Sequence, residues 1–168
     1  NVGCGIEYAK KALEMADGKF LYATIGLHPY DALDLSEELM KDWEEVIKED
    51  QHQSKGDTRL RRIVAIGDTG LDYLKAKVDH EKQKLSFRKH LELAMRVGLP
   101  VIVHNREADV DCLNLLKEFG REWDEYKRFV SDCGCDGDLF EPVRAVFHCY
   151  GSNLEFAHLV WEAGYYTS

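Results

Sequence analysis

The chain has 168 residues, of which 45% are hydrophobic and 32% charged, and its formal net charge is −9. This length and apolar content suit one globular domain with a sizeable core, and no apolar run approaches the ~20 residues that cross a bilayer. The acidic balance opposes nonspecific binding of nucleic acid. It does not exclude a nuclease, because bound divalent cations can invert the charge of a small cleft.

Apolar periodicity predicts helices that alternate with short strands along the chain. In chain order, the helices are predicted at about 6–16, 36–49, 79–97, 107–119 and 153–162. The strands are predicted at 20–26, 63–67, 100–104, 144–148 and 164–168. The polar stretch 51–62 is predicted to be a surface loop, and the mixed segment 120–142 an insertion on the loop face.

This alternation predicts an α/β fold with parallel strands, because right-handed crossovers bring successive strands side by side. The order suits either an open doubly wound sheet or a (β/α) barrel. A complete eight-unit barrel needs about 250 residues, so five strands would form part of one. The chain starts without methionine and ends in the strand-like run 164–168. Residues 1–168 are therefore expected to be a single domain, cut from a longer protein.

Three of the predicted strands stop at a candidate metal ligand: Asp68, His104 and His148. The carboxyl ends of parallel strands meet at one rim, where such folds bind their ligands. One carboxylate and two imidazoles form a donor set for a divalent ion, and Mg²⁺, Mn²⁺ and Zn²⁺ all stay open, with one or two ions bound. A lone histidine at a strand end is more often structural, but its recurrence beside Asp68 favours ligation.

Five segments in chain order carry a more specific pattern. They read GLHPYDA at 26–32, VAIGDTGLDY at 64–73, FRKHLELA at 87–94, LPVIVHNREA at 99–108 and FHCYGS at 147–152. Four of the five lie at strand ends. Together they resemble the TatD-type DNase family of metal-dependent hydrolases.

The resemblance implies a partial TIM-type (β/α)8 barrel, a divalent-metal site at its top, and hydrolysis of phosphodiester bonds in DNA. It carries Asp68, His104 and His148 over as metal ligands, with Asp68 also catalytic. Arg106 takes a family position suited to gripping phosphate, as a catalytic and substrate-binding residue. His28 takes that of a histidine near the cleft and is expected to bind substrate.

The chain departs from the family pattern at several places. Asp68 stands where the family usually has a glutamate, which is one methylene longer, and His90 stands where it has a glutamine. The family's His-x-His strand would lie before Asn1, and its late aspartate ligand after Ser168. Asp72 is expected to orient a ligand or form a turn rather than to bind metal.

Three functions are compatible with this pattern. The first is a metal-dependent DNase, with DNA as its substrate. The second is an amidohydrolase-like enzyme that acts on a small molecule, which a closed apolar pocket would favour. The third is a truncated, non-catalytic barrel. Five scattered cysteines favour a reducing compartment, cytoplasmic or nuclear, and no membrane partner is expected.

Overall fold

A computed structural model of the protein describes residues 2–54, 60–132 and 144–168. Its strands are β1 (Val2–Cys4), β2 (Ala23–Gly26), β3 (Ile63–Asp72), β4 (Val101–Arg106), β5 (Ala145–Phe147) and β6 (Tyr166–Thr167). Its helices are α1 (Ile6–Met15), α2 (Glu37–Gln53), α3 (His80–Val97), α4 (Asp109–Asp132) and α5 (Leu154–Glu162). A 3₁₀ helix over Pro29–Asp34 follows β2.

The described strands are all parallel and form one sheet in the order β1-β2-β3-β4-β5-β6. Each strand therefore pairs with its neighbour along the chain. A doubly wound sheet reverses its strand order at a switch point, whereas a (β/α) barrel adds strands in sequence. The prediction of a partial TIM-type barrel is confirmed. Within the described ranges, no helix combines the length and apolar character that crossing a membrane requires.

No strand is predicted before the first helix, and this prediction is wrong. Val2–Cys4 form β1 and pair in parallel with Thr24–Gly26 of β2. The strand has only three residues, and the middle one, Gly3, carries no side chain. Such a segment is too short to show the alternation by which a strand is recognised. Strand β1 brings Cys4 to the same sheet edge as the predicted ligands.

Two predicted loops begin later than expected. Helix α2 continues to Gln53, and α4 continues to Asp132 through much of the predicted insertion. A single glycine costs a helix about 1 kcal/mol, so Gly120 alone does not end α4. The buried side chains of Leu116 and Phe119 anchor the helix just before that glycine. Within the two predicted loops, 55–59 and 133–142 lie outside the described residues.

Local hydrogen bonds set the helix starts that the sequence predicts. The side chain of Ser36 accepts from Leu39 N–H at the start of α2. Asn153 caps α5 in the same way, accepting from Phe156 N–H. Such caps satisfy backbone donors that have no partner within the helix. They fix the residue at which each helix begins.

His90 on α3 is fully buried and joins the core to the segment after β2. Its Nε2 accepts from Leu27 N–H at 2.9 Å, and its Nδ1 lies 2.7 Å from the carbonyl oxygen of Ser86. Both bonds are satisfied only by the neutral ring with its proton on Nδ1, because a protonated Nε2 would face another donor. Burial lowers the pKa of His90 from 6.5 to about 4, against the opposing effect of the Ser86 carbonyl.

The stability of the protein is therefore expected to depend on His90 at acid pH. An unfolded chain takes up the proton near pH 6.5, but the folded protein resists it down to about pH 4. The neutral His90 ring therefore contributes its full stabilisation of the folded protein above pH 6.5. This contribution is lost as the pH falls towards 4. Between pH 7 and 4, the free energy of unfolding should fall by about 3 kcal/mol more in the wild type than in His90→Gln. Urea denaturation at each pH measures this, and parallel curves for the two proteins would contradict it.

Candidate metal centre

The carboxyl ends of the strands surround a cavity of about 530 Å³. Its lining includes Cys4, His28, Asp68, His104, Arg106 and His148. The structure thus brings every site residue predicted from the sequence to one cavity. They come from four consecutive strands or the residues directly after them, as expected when parallel strands end at a common rim.

Asp68 lies within β3 and not after it, because β3 continues to residue 72. Gly67 and Gly70 flank the aspartate and have φ angles of 132° and 144°. A Cβ atom at either glycine would overlap a carbonyl oxygen of β4, that of Ile102 or that of His104. The two glycines therefore let β3 approach β4 closely at this point, which brings the Asp68 carboxylate beside the His104 ring.

Asp68 is the centre of the predicted ligand set. Its Oδ2 lies 3.0 Å from His148 Nε2 and 3.7 Å from His104 Nδ1. Burial raises the pKa of this carboxyl, but the two imidazoles outweigh burial and lower the pKa to about 2. The other oxygen, Oδ1, is buried and has no hydrogen-bond partner in the described part of the chain. A buried anionic oxygen without a donor is unfavourable, and a cation would satisfy it.

Asp72 orients the His104 ring from the opposite side. Its Oδ2 lies 3.2 Å from His104 Nε2, and its Oδ1 accepts the backbone N–H groups of Leu74, Lys75 and Ala76. Burial raises the pKa of the Asp72 carboxyl, but these donors outweigh burial and lower it. The anionic carboxylate fixes the His104 proton on Nε2, so that the Nδ1 lone pair faces Asp68. A carboxylate behind a ligating histidine commonly sets the ligand in this way.

His28 lies closer to the ligands than expected from the sequence. Its Nε2 is 3.1 Å from His104 Nδ1, and the ligand atoms of His28, Asp68 and His104 all lie within 4.8 Å of one another. His148 contacts the same carboxylate oxygen of Asp68 as His104 does, and the two ring centroids lie 6.2 Å apart. The sequence position of His28 indicates this placement, because His28 follows β2 much as His148 follows β5.

Arg106 and Cys4 also line the cavity, and only Arg106 was predicted from the sequence. Arg106 ends β4, is exposed and lines the cavity, so its guanidinium is free to meet a ligand entering from solvent. Cys4 was missed because β1 was missed. Burial raises the pKa of the Cys4 thiol, and the carboxylates of Asp68 and Asp31 raise it further. The thiol therefore stays protonated at neutral pH.

The chain is similar to known proteins over most of its length. A family model described as TatD related DNase matches residues 1–168. YabD of Bacillus subtilis (strain 168), named an uncharacterized metal-dependent hydrolase, is 35% identical over 159 residues, which cover 94% of this chain and 51% of YabD. A protein of Edwardsiella piscicida named 3'-5' ssDNA/RNA exonuclease TatD is 31% identical over 117 residues, 68% of this chain and 41% of that protein.

A solved structure shares the fold. The crystal structure of YJJV, a TatD homologue from Escherichia coli K12, matches 99% of this chain and 53% of its own with a TM-score of 0.72 and 24% identity. The chain spans about half the length of the curated relatives it matches. Because the family model covers every residue from 1 to 168, the chain belongs to the TatD related DNase family.

Proposed function

We propose that the chain carries the metal centre of a hydrolase that cleaves phosphodiester bonds in DNA. The observation that carries the proposal is the environment of Asp68. Its buried, anionic carboxylate lies 3.0 Å from one imidazole nitrogen and 3.7 Å from another, with one oxygen left without a donor among the described residues. The same cavity presents Arg106. Residues 1–168 are proposed to form one domain, and the activity is proposed for that domain.

The donor atoms fit a divalent ion. His104 would bind through Nδ1, His148 through Nε2, and Asp68 through its carboxylate. Zn²⁺ binds imidazole nitrogen and carboxylate oxygen at about 2.0–2.2 Å, so two atoms 3.7 Å apart can share one ion. The mixture of nitrogen and oxygen donors suits Zn²⁺ or Mn²⁺ better than Mg²⁺, which prefers oxygen ligands and retained waters. One or two ions are compatible with the set.

The protein side chains have separate tasks in this chemistry. A divalent ion, when bound, neutralises phosphate charge and acidifies a water molecule. Arg106 grips the phosphate oxygens, because its planar guanidinium can donate two parallel hydrogen bonds. Asp68 stays ionised at neutral pH, since its pKa is about 2, and so retains its charge toward the ion. His28 lines the same cavity and contributes a further contact to the substrate.

The character of the cavity supports a phosphodiester over a small-molecule amide. Charged and polar side chains line it, and one of them is the exposed Arg106. With these side chains around it, the cavity differs from the closed apolar pocket expected of the amidohydrolase-like alternative. The name of the Edwardsiella relative points to nucleic acid. The described cysteines, Cys4, Cys112 and Cys149, are free thiols, which supports a cytoplasmic or nuclear location.

Cleavage of DNA by the 168-residue chain tests the proposal. We expect hydrolysis of a 5'-labelled single-stranded oligonucleotide that requires Zn²⁺ or Mn²⁺ and stops with EDTA. Arg106→Ala should lower kcat/KM by about 10–100-fold, because a charge-assisted phosphate contact is lost, while metal content stays unchanged. Arg106→Lys should recover part of the loss, since lysine keeps the charge but not the fork.

The control is Arg121→Ala, which removes an exposed arginine of α4 and should leave kcat/KM unchanged. Cleavage that resists EDTA, or wild-type kinetics in Arg106→Ala, would contradict the proposal.

A further inference from the structure

A row of hydrogen bonds crosses the site and passes through the imidazole rings of His28 and His104. These two rings are called the His28–His104 pair. At one end, Tyr30 N–H donates to His28 Nδ1 at 3.3 Å. In the middle, His28 Nε2 lies 3.1 Å from His104 Nδ1. At the other end, His104 Nε2 lies 3.2 Å from Asp72 Oδ2. Each ring nitrogen of the pair therefore has a partner in the row, and the groups at the two ends have fixed roles.

Only one arrangement of protons satisfies this row. A backbone N–H can only donate, so His28 Nδ1 accepts from Tyr30 and the proton of the neutral His28 ring lies on Nε2. The Asp72 carboxylate can only accept, so the proton of His104 lies on Nε2. In the middle of the row, His28 Nε2–H therefore donates to the lone pair on His104 Nδ1.

The same lone pair is the one that faces Asp68. His104 Nδ1 lies 3.7 Å from Asp68 Oδ2, and both atoms offer electron pairs. His104 Nδ1 can give its lone pair to His28 or to an ion, but not to both. His28 cannot join the ligand set through Nε2 without moving its proton to Nδ1, which would place two donors against each other at Tyr30. Proximity alone would have added His28 to the ligand set.

We propose that His28 is a phosphate-binding donor that metal binding makes available, and that it is not a metal ligand. When His104 Nδ1 holds the ion, His28 Nε2–H loses its acceptor and is left facing the cavity that it lines. A non-bridging oxygen of a phosphodiester then accepts from it, beside Arg106 on the same cavity. This inference rests on the proposed function for its substrate class, and it requires that metal bind before substrate.

The protonation pattern can be read directly in the 168-residue chain by long-range ¹H–¹⁵N correlation spectra of the imidazole rings. In metal-free protein, both His28 and His104 should carry their proton on Nε2. On addition of Zn²⁺, the Nδ1 resonance of His104 should shift strongly while His28 keeps its proton on Nε2. A move of the His28 proton to Nδ1 on metal addition would mean that His28 ligates, and would overturn the inference.

A substitution separates the two roles by binding measurements. His28→Asn keeps a side-chain acceptor for Tyr30 N–H, because asparagine is a good cap, but it is too short to reach His104. We expect its Zn²⁺ affinity to stay within about threefold of the wild type. The affinity of the zinc-loaded protein for dimethyl phosphate should fall about tenfold or more, because a hydrogen bond to a charged oxygen is lost. His52→Asn, on the exposed side of α2, is the matched control and should change neither affinity.

Two results would overturn the inference. One is a loss of Zn²⁺ affinity in His28→Asn as large as in His104→Ala, and the other is an unchanged affinity for dimethyl phosphate. None of these readouts uses cleavage of DNA. Failure of the oligonucleotide assay with the expected binding results would therefore count against the proposed DNase activity alone.

Discussion

Replacing His104 and His148 together by alanine is expected to abolish binding of divalent metal by this chain. Both rings direct a nitrogen at the Asp68 carboxylate, at 3.7 and 3.0 Å, and the double substitution leaves that carboxylate without either imidazole. Loss of an outer-shell partner alone commonly costs a metal site 10–100-fold in affinity, so loss of two ligands should exceed about 100-fold. Elemental analysis after dialysis against a slight excess of Zn²⁺ measures the content, and metal-dependent nicking of DNA should disappear with it.

The matched control for this experiment replaces two histidines outside the cavity. His52 on α2 and His158 on α5 are both exposed, and their double alanine variant should keep its zinc. Circular dichroism of both variants checks that each is folded. An unchanged metal content in the His104, His148 double variant would remove the basis for the metal centre.

Asp50→Ala is expected to be the most destabilising single substitution proposed for this protein. Asp50 is buried, with 4% of its surface exposed, and accepts the backbone N–H groups of Arg62 and Ile63 at 2.9 and 3.1 Å. It also pairs with Arg62 Nε at 2.9 Å. Alanine would leave two backbone donors and a guanidinium without their acceptor at the entrance to β3. Each backbone donor left without an acceptor costs about 1–3 kcal/mol. The ion pair adds less than about 1 kcal/mol, because the Arg62 side chain is 38% exposed. Chemical denaturation measures the total.

Two comparison variants separate this effect from charge removal in general. Asp50→Asn keeps one oxygen as an acceptor and should lose less stability than the alanine variant. Lys41→Ala breaks an exposed pair with Glu45, whose nitrogen–oxygen distance is 3.9 Å, and should cost no more than about 0.5 kcal/mol. If Asp50→Ala and Lys41→Ala unfold at the same denaturant concentration, Asp50 does not anchor β3.

The helices and strands near the site were largely predictable, because their causes are local. Helix α3 was expected at 79–97 and is observed at His80–Val97, since an apolar stripe and its end signals are written in adjacent residues. Short helices and strands that lack such signals were not predicted from the sequence. β1 has three residues, and nothing in them separates a strand from a loop. Cys4 was therefore not among the residues expected at the cavity.

The pattern of residues along the chain is enough to predict the ligand types and the rim on which they meet. Alternating strands and helices force parallel strands, and parallel strands bring the residues at their carboxyl ends to one edge, so Asp68, His104 and His148 were expected together. How the atoms of these side chains face one another depends on long-range packing. The direction of the His28–His104 hydrogen bond depends on Tyr30 N–H at one end and on Asp72 at the other. Tyr30 is close to His28 in sequence, but His104 is 76 residues from His28 and 32 from Asp72. The packing of β2, β3 and β4 side by side brings these groups together, and no local pattern encodes it.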